Sequence, residues 1–369
     1  MNDAAPERAP NVAVLGVGLI GGSIGLAARR RLGAEVVGFS RTPATLERAL
    51  ELGVIDRAAG SLAEACVGAE VVFCCGPVAA LPAQAGEALA ACGPDAVVTD
   101  VGSTKGELVA ALGADERFIG GHPLAGAETA GVENAREELF EGARWYLTPT
   151  ERVSGLLYDR LQRTLIGLGA RPQAVDPGTH DRLMATVSHM PHVLANALVA
   201  EAAEELTRDS ERLPEVGPSF RDATRVAGSN PEIWADIFTS NPEAVADSVE
   251  SVARRLGEAA ELIRGGERER IAAWHAAAGE DRRRLLEADS EAGALTELRI
   301  VVRNRPGTIA ELALALGEAG VNIEDMGLHP APDMTSGAVS LWVAGEEQAA
   351  KAAALVRELG HTVTVLGPG

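Results

Sequence analysis

The apolar run Val12-Ala13-Val14-Leu15 leads without a break into Gly16-Val17-Gly18-Leu19-Ile20-Gly21, and this joint constrains the fold more than any other feature of the chain. The run reads as a β-strand, and the residues after Gly18 as a helix. A glycine at the first position permits a tight turn. One at the second lets the main chain approach a pyrophosphate, and one at the third lets helix and strand pack closely. The helix start then offers N–H donors and the positive end of its dipole to the anion. A second strand-like run at 35–39 follows at the spacing of a dinucleotide-binding βαβ unit, a context that other glycine-rich turns lack. Gly16, Gly18, Leu19, Ile20 and Gly21 are therefore candidate dinucleotide contacts.

The pattern continues. Strand-like runs at 12–15, 35–39, 71–75, 96–99, 118–120, 145–147 and 170–175 alternate with Ala/Leu-rich helical stretches. Such alternation predicts a parallel sheet covered on both faces, a Rossmann-type α/β domain over residues 10–177. Residues 178–290 carry almost no strand signal. They are rich in Ala, Glu, Leu and Arg at helical periodicity, and Pro191, Pro214, Pro218, Pro231 and Pro242 are expected to break them into several helices. By analogy of fold, an all-helical segment of this kind pairs two subunits, so a homodimer is expected. Residues 296–369 change again. Strands at 298–302, 321–326, 338–343 and 362–366, with helices at 308–319 (closed by Gly320) and 348–359, make a βαββαβ ferredoxin-like module.

Composition excludes several partners. A formal net charge of -20 repels phosphate backbones and anionic lipid. Aromatics at 3% leave little for base stacking. No nucleic acid and no membrane is expected as a partner. The segment MNDAAPERAP has no apolar targeting stretch, and no run is read as approaching the roughly 20 apolar residues of a membrane helix. The expectation is a cytoplasmic protein. Cys66, Cys74, Cys75 and Cys92 form no C-x-x-C pair and read as reduced core residues without a metal framework. An anionic substrate must be held by a few local Arg or His residues against the overall field.

Cofactor preference is read at the end of the second strand. NAD sites usually place a carboxylate there for the ribose 2′-hydroxyl. This chain has Phe39-Ser40-Arg41, with no carboxylate to repel a 2′-phosphate and Arg41 available to bind one. The reading leans to NADP over NAD, with dual use open; the alternative leaves Arg41 a solvated loop residue. Gly76-Pro77 and the turn opened by Asp100 follow strand ends, where open α/β sheets bind ligands, and are candidate walls of a nicotinamide pocket.

Four segments carry polar residues without an evident structural duty: Ser103-Thr104-Lys105-Gly106, Gly121-His122-Pro123 with Glu128 beyond it, Ser188-His189-Met190-Pro191-His192, and Phe220–Arg225 with Trp234 later. His122 is expected in a glycine-rich turn after a strand, on the cofactor side. Imidazole is the side chain most easily poised for proton transfer near neutral pH. His189 and His192 are spaced to share one helical face, but a third zinc ligand and the usual metal motifs are missing. Arg225 offers a bidentate fork for a carboxylate.

Together these segments resemble the prephenate/arogenate dehydrogenase family, in order and with natural spacing over residues 10–290. The resemblance implies oxidative decarboxylation of prephenate with NAD(P)+ in tyrosine biosynthesis, or of arogenate. It implies that His122 takes the proton of the ring hydroxyl and that Ser103 hydrogen-bonds the same hydroxyl. Arg225 then binds a substrate carboxylate, and His189 and His192 hold and shape the substrate pocket. Glu128, Asp181 and Trp234 fall at its rim. Residues 296–369 resemble an ACT domain, with Arg305, Pro306, Gly307 and Asn322 at the positions that bind an amino acid. Tyrosine is the ligand this implies; the alternative is a module that only aids dimerisation. A β-hydroxyacid dehydrogenase or imine reductase is disfavoured, because those families use a Lys on the helical domain and residues 179–289 contain none. A non-catalytic nucleotide sensor is disfavoured by the intact Ser103, His122 and Arg225.

Overall fold

The computed structural model describes residues 9–126, 129–207, 216–289, 295–303, 305, 307–323, 325–330 and 336–366. The chain divides into two compact units, Met1–Arg255 and Leu256–Gly369.

In the first unit eight strands form one sheet: β1 Asn11–Leu15, β2 Glu35–Phe39, β3 Arg57–Ala58, β4 Val71–Cys74, β5 Val97–Asp100, β6 Phe118–Pro123, β7 Arg144–Thr148 and β8 Arg171–Ala174. Their order is β3-β2-β1-β4-β5-β6-β7-β8. The first six follow the doubly wound dinucleotide-binding order. Both faces are covered. Val12 and Val14 enter one core cluster, Ala13 and Leu15 the other. A strand buried on two sides must be apolar throughout, which is why these runs stood out in the sequence.

Two features depart from expectation. β3 has two residues, Arg57 and Ala58, and no apolar run to announce it. The sheet is also not wholly parallel. Phe118 and Ile119 pair in parallel with Val98 and Thr99 of β5. Beyond them β6 turns to β7 and pairs antiparallel, His122 opposite Tyr146 and Pro123 opposite Trp145. β6 therefore runs to Pro123, and His122 lies on the strand rather than in a turn after it.

The helical segment begins as Pro177–Met184, passes through a π-helical turn at Ala185–His189 and continues as Met190–Thr207. Pro191 does not break it. Proline in a regular helix clashes with the carbonyl four residues back, and the widened turn just before Pro191 relieves this. One consequence corrects a sequence expectation: the helical run Pro177–Glu205 is long and apolar enough to cross a membrane by length and composition, with 28% of its most apolar window buried. Pro218–Thr224, Pro231–Ser240 and Pro242–Gly265 follow.

The second unit holds helix Arg268–Asp289 and a four-stranded antiparallel sheet, β9 Leu295–Arg303, β10 Asp325–Pro330, β11 Ser336–Ala344 and β12 Thr362–Leu366, in the order β10-β11-β9-β12. Helices Thr308–Glu318 and Glu346–Glu358 complete a βαββαβ sequence around a core containing Leu298, Ile300, Leu312, Leu341 and Val356. The second strand starts at Asp325, later than the expected 321. Gly320 sits at φ 73° and the Val321 N–H donates to Leu316 O, so Val321 belongs to the helix cap. Arg305, Gly307 and Asn322 are exposed, while Pro306 lies outside the described residues.

Candidate active site

Beyond the carboxyl ends of β1 and β4, where the strand order reverses, lies a cleft of about 840 Å³ lined by Gly16, Gly18, Ser40, Arg41, Gly76 and Pro77 among others. Its floor fits a pyrophosphate. Gly16 has φ 108°, and a Cβ there would lie 2.7 Å from Cys75 O. A Cβ on Gly21 would lie 2.1 Å from Gly16 O, so helix and turn touch as the motif requires. At Gly18 a Cβ would meet nothing within 4 Å, which leaves the main chain open to an incoming group. Helix Leu19–Leu32 starts there with no side-chain cap and no acidic residue in its first turn. Its leading N–H groups are thus available to an anion. Leu19 and Ile20 turn their side chains towards the core, so their part in such a site is through the main chain. Ser40 and Arg41 lie in the same cleft; the carboxylates that reach it, Glu87 and Glu133, come from elsewhere.

Asp100 does not face the cleft. Its carboxylate is fully buried and pairs with Lys105 Nζ, itself fully buried. It also accepts the N–H groups of Gly102 at 2.7 Å and Gly121 at 2.9 Å. β5 ends at Asp100 and the side chain takes over the main-chain bonding. The expected cofactor contact is an internal brace between the Ser103 turn and β6. Burial lowers the proton affinity of Lys105, and the adjacent Asp100 carboxylate opposes this.

The brace positions His122. Its Nδ1 lies 2.9 Å from Nε2 of His180. His180 is fully buried, and its Nδ1 lies 2.8 Å from Asp181 Oδ1. The Asp181 carboxylate also accepts the N–H groups of Lys105 at 2.8 Å and Gly106 at 2.7 Å. Asp181 is therefore an interior residue and not part of a pocket rim. Burial holds the His122 imidazole well below its usual proton affinity, with His180, Lys105 and His189 adding to the effect. The ring is a neutral base at physiological pH. Ser103 sits half-buried in the same turn, between Gly102, which bonds Asp100, and Thr104, whose Oγ1 lies 2.9 Å from Ser240 Oγ.

A second cluster gathers on the helical segment. His192 stacks on Trp234 with ring centroids 3.4 Å apart, and His189 meets the same indole edge-on at 6.0 Å. His189 is 1% exposed, and neither ring nitrogen has a hydrogen-bond partner among the described residues. Burial is the main cause that lowers its pKa to about 4. Arg225, exposed at the start of a 3₁₀ turn, lowers the proton affinity of His192 after burial has done so. Glu128 lies outside the described residues. Sequence reasoning missed His180 and the role of Lys105; the one signal was a His-Asp pair in the first turn of a helix opened by Asp176-Pro177. Among the described residues no group of three or more potential ligands could hold a metal ion. The cysteines are free; burial pushes the Cys66 thiol up to about 12.

Residues 24–173 match the family model described as prephenate dehydrogenase, nucleotide-binding domain, and residues 176–276 match prephenate dehydrogenase, dimerization domain. The prephenate dehydrogenase of Bacillus subtilis (strain 168) is 31% identical over 325 residues, which cover 85% of this chain and 87% of the relative. The solved prephenate dehydrogenase from A. aeolicus, in complex with hydroxyphenyl propionate and NAD+, superposes with a TM-score of 0.71 at 31% identity, covering 77% of this chain and all of that one. The arogenate dehydrogenase of Synechocystis superposes at 0.65 with 30% identity, covering 74% of this chain and 99% of that one. With a dinucleotide-type cleft at the switch point of the sheet, a buried imidazole at the carboxyl end of β6 and these matches over most of its length, the chain belongs to the prephenate dehydrogenase family.

Proposed function

We propose that the chain catalyses the oxidative decarboxylation of prephenate to 4-hydroxyphenylpyruvate with a nicotinamide cofactor. The observation that carries this is His122, a neutral imidazole on β6 at the carboxyl edge of a dinucleotide-binding sheet. Prephenate is a cyclohexadienol bearing two carboxylates. His122 accepts the proton of the ring hydroxyl as its carbon becomes a carbonyl. A nicotinamide cofactor held at the Gly16–Gly21 turn would supply the hydride acceptor for that carbon. Loss of the ring carboxylate as CO2 then restores aromaticity. Ser103 hydrogen-bonds the hydroxyl, and the Arg225 guanidinium binds a carboxylate against the negative field of the protein. His189, with two unpartnered ring nitrogens, offers a neutral polar contact, and Trp234 with His192 forms an aromatic wall.

Arogenate is the second reading, favoured by the superposition on an arogenate dehydrogenase. The two substrates differ only at the side chain, a keto acid against an amino acid. For the cofactor, Arg41 without a neighbouring carboxylate supports NADP over NAD. Apolar residues exposed on the helical segment, among them Val187, Leu194 and Leu198, support a homodimer that buries them. In this reading the chain is divided at residues 10–177, 178–290 and 296–369. The last of these, with its βαββαβ order, is read as an ACT module of ferredoxin-like fold that binds tyrosine as a feedback ligand. A cytoplasmic location goes with the buried free thiols.

Steady-state turnover followed by reduced-nicotinamide absorbance, with prephenate or arogenate and NAD+ or NADP+, tests the assignment. Turnover of prephenate at least tenfold more efficient than of arogenate is expected. No turnover with either substrate overturns the function. Inhibition by millimolar tyrosine is expected, and an unchanged rate and melting curve would reject the feedback role.

A further inference from the structure

Among the described residues the His122 ring carries a hydrogen bond on Nδ1, and the identity of its partner decides which nitrogen is basic. His180 Nδ1 faces Asp181 Oδ1 at 2.8 Å. That carboxylate already accepts two main-chain N–H groups, from Lys105 and Gly106, and a carboxylate in this role accepts a third. His180 Nδ1 therefore carries its proton and donates it to Asp181. Its Nε2 is left with a lone pair. Across 2.9 Å that lone pair faces His122 Nδ1, which must be the donor. His122 Nε2 is then unprotonated and free to take a proton from substrate.

We infer that Asp181 and His180 are positioning residues that lock His122 in the Nδ1–H tautomer and so place its basic lone pair on Nε2. This rests on the reading of His122 as the base. The geometry around the pair supports a fixed orientation. The two imidazoles meet edge-on at 72°, and Tyr146, which pairs with His122 across the strands, packs edge-on against His180 at 5.7 Å. Asn241 Nδ2 donates to the Asp181 carbonyl at 2.9 Å and holds that residue from the helical side. Lys105, from the turn after β5, and His189, from the π-helical turn, also act on His122, and the Tyr146 phenol is the titratable group packed against His180. During turnover one proton moves from the substrate hydroxyl to His122 Nε2. The Nδ1 protons of His122 and His180 stay in place, and the new imidazolium donates to His180 Nε2. Asp181 does a second thing: by holding the N–H groups of Lys105 and Gly106 it fixes the turn that bears Ser103. One carboxylate thus sets both groups assigned to the substrate hydroxyl.

The test is the histidine ¹⁵N spectrum of the full-length protein, assigned with His122→Asn and His180→Gln. The expected result is a His122 signal of the Nδ1–H form at neutral pH. The Nε2–H form would overturn the relay, whatever the activity of the protein. In kinetics, Asp181→Asn leaves one accepting oxygen where the carboxylate offered two and sets an NH2 against a main-chain N–H, so it loosens the hold on His180 and should lower kcat by about 10²-fold or more. His180→Gln, which retains an acceptor oxygen, should keep at least ten times more kcat than His180→Phe, with cofactor affinity unchanged in all three. Equal kcat for His180→Gln and His180→Phe would also overturn the relay. His122→Asn with undiminished kcat would instead remove the base itself, and the spectrum of the wild-type protein separates that failure from this one.

Discussion

Lys105 and Asp100, five residues apart, form an ion pair fully enclosed by protein, and the same carboxylate accepts the N–H groups of Gly102 and Gly121. Two charges taken out of water are tolerated only while paired. Lys105→Met leaves the Asp100 charge uncompensated and should cost about 3–5 kcal/mol of stability, read as a lowered urea midpoint. Adding Asp100→Asn should restore part of that loss, because the amide oxygen keeps one main-chain N–H partner without a buried charge. Strict additivity of the two changes would contradict this account.

His122→Asn removes the proposed base without emptying the space between β6 and His180. kcat should fall by roughly 10²–10⁴-fold with KM changed little, since the lost interaction belongs to proton transfer and not to binding. Arg225→Ala should do the reverse and mainly raise KM.

The pH dependence follows from the same ring. The proposed base must be unprotonated to accept a proton, and burial with neighbouring His180, Lys105 and His189 holds its pKa well below the usual imidazole value of 6.5. kcat/KM should therefore stay level as pH falls through 6.5 and drop only below it. A pH–rate profile that already falls at 6.5 with the ordinary imidazole value would show His122 to be solvated.

Most of the first unit was legible because β1, β2, β4 and β5 are covered on both faces and are built mainly from apolar residues. β3 was not, since Arg57 and Ala58 form only two pairs at a sheet edge. The extension of β6 was hidden by Gly120 and Gly121, which read as a turn but are there because β5 and β7 crowd them: a Cβ on Gly121 would lie 2.6 Å from Asp100 O. His122 was singled out through those glycines. His180 was not, because its partner is 58 residues away and no local pattern records that contact. Asp100 was misread for a related reason: a carboxylate at a strand end looks the same in sequence whether it faces a ligand or a buried lysine. Pro191 signalled a helix break only because a π-helical turn cannot be seen in the periodicity.

Arg41 tests the cofactor reading. It lines the cleft at the end of β2, where no carboxylate stands to bind a ribose 2′-hydroxyl. Arg41→Ala should raise KM for NADP+ by about tenfold, the worth of one exposed charge-assisted contact, and leave KM for NAD+ nearly unchanged. Equal effects on both cofactors would make Arg41 a solvated loop residue.

His189 should make the protein acid-sensitive. In the folded chain its pKa is lowered from 6.5 to about 4, chiefly by burial. The unfolded chain keeps the ordinary value, so between the two it binds more protons than the folded one. Stability is then complete above 6.5 and is lost as pH falls through this window to about 4, below which the loss stops growing. The gap corresponds to about 3 kcal/mol. His189→Asn removes the titrating group. Urea unfolding at intervals across that window should show the wild type losing stability relative to the variant by about this amount, with the two curves parallel above it. A difference that grows towards alkaline pH would mean that His189 is held protonated in the folded protein, and with it the neutral pocket proposed beside Trp234 would fall.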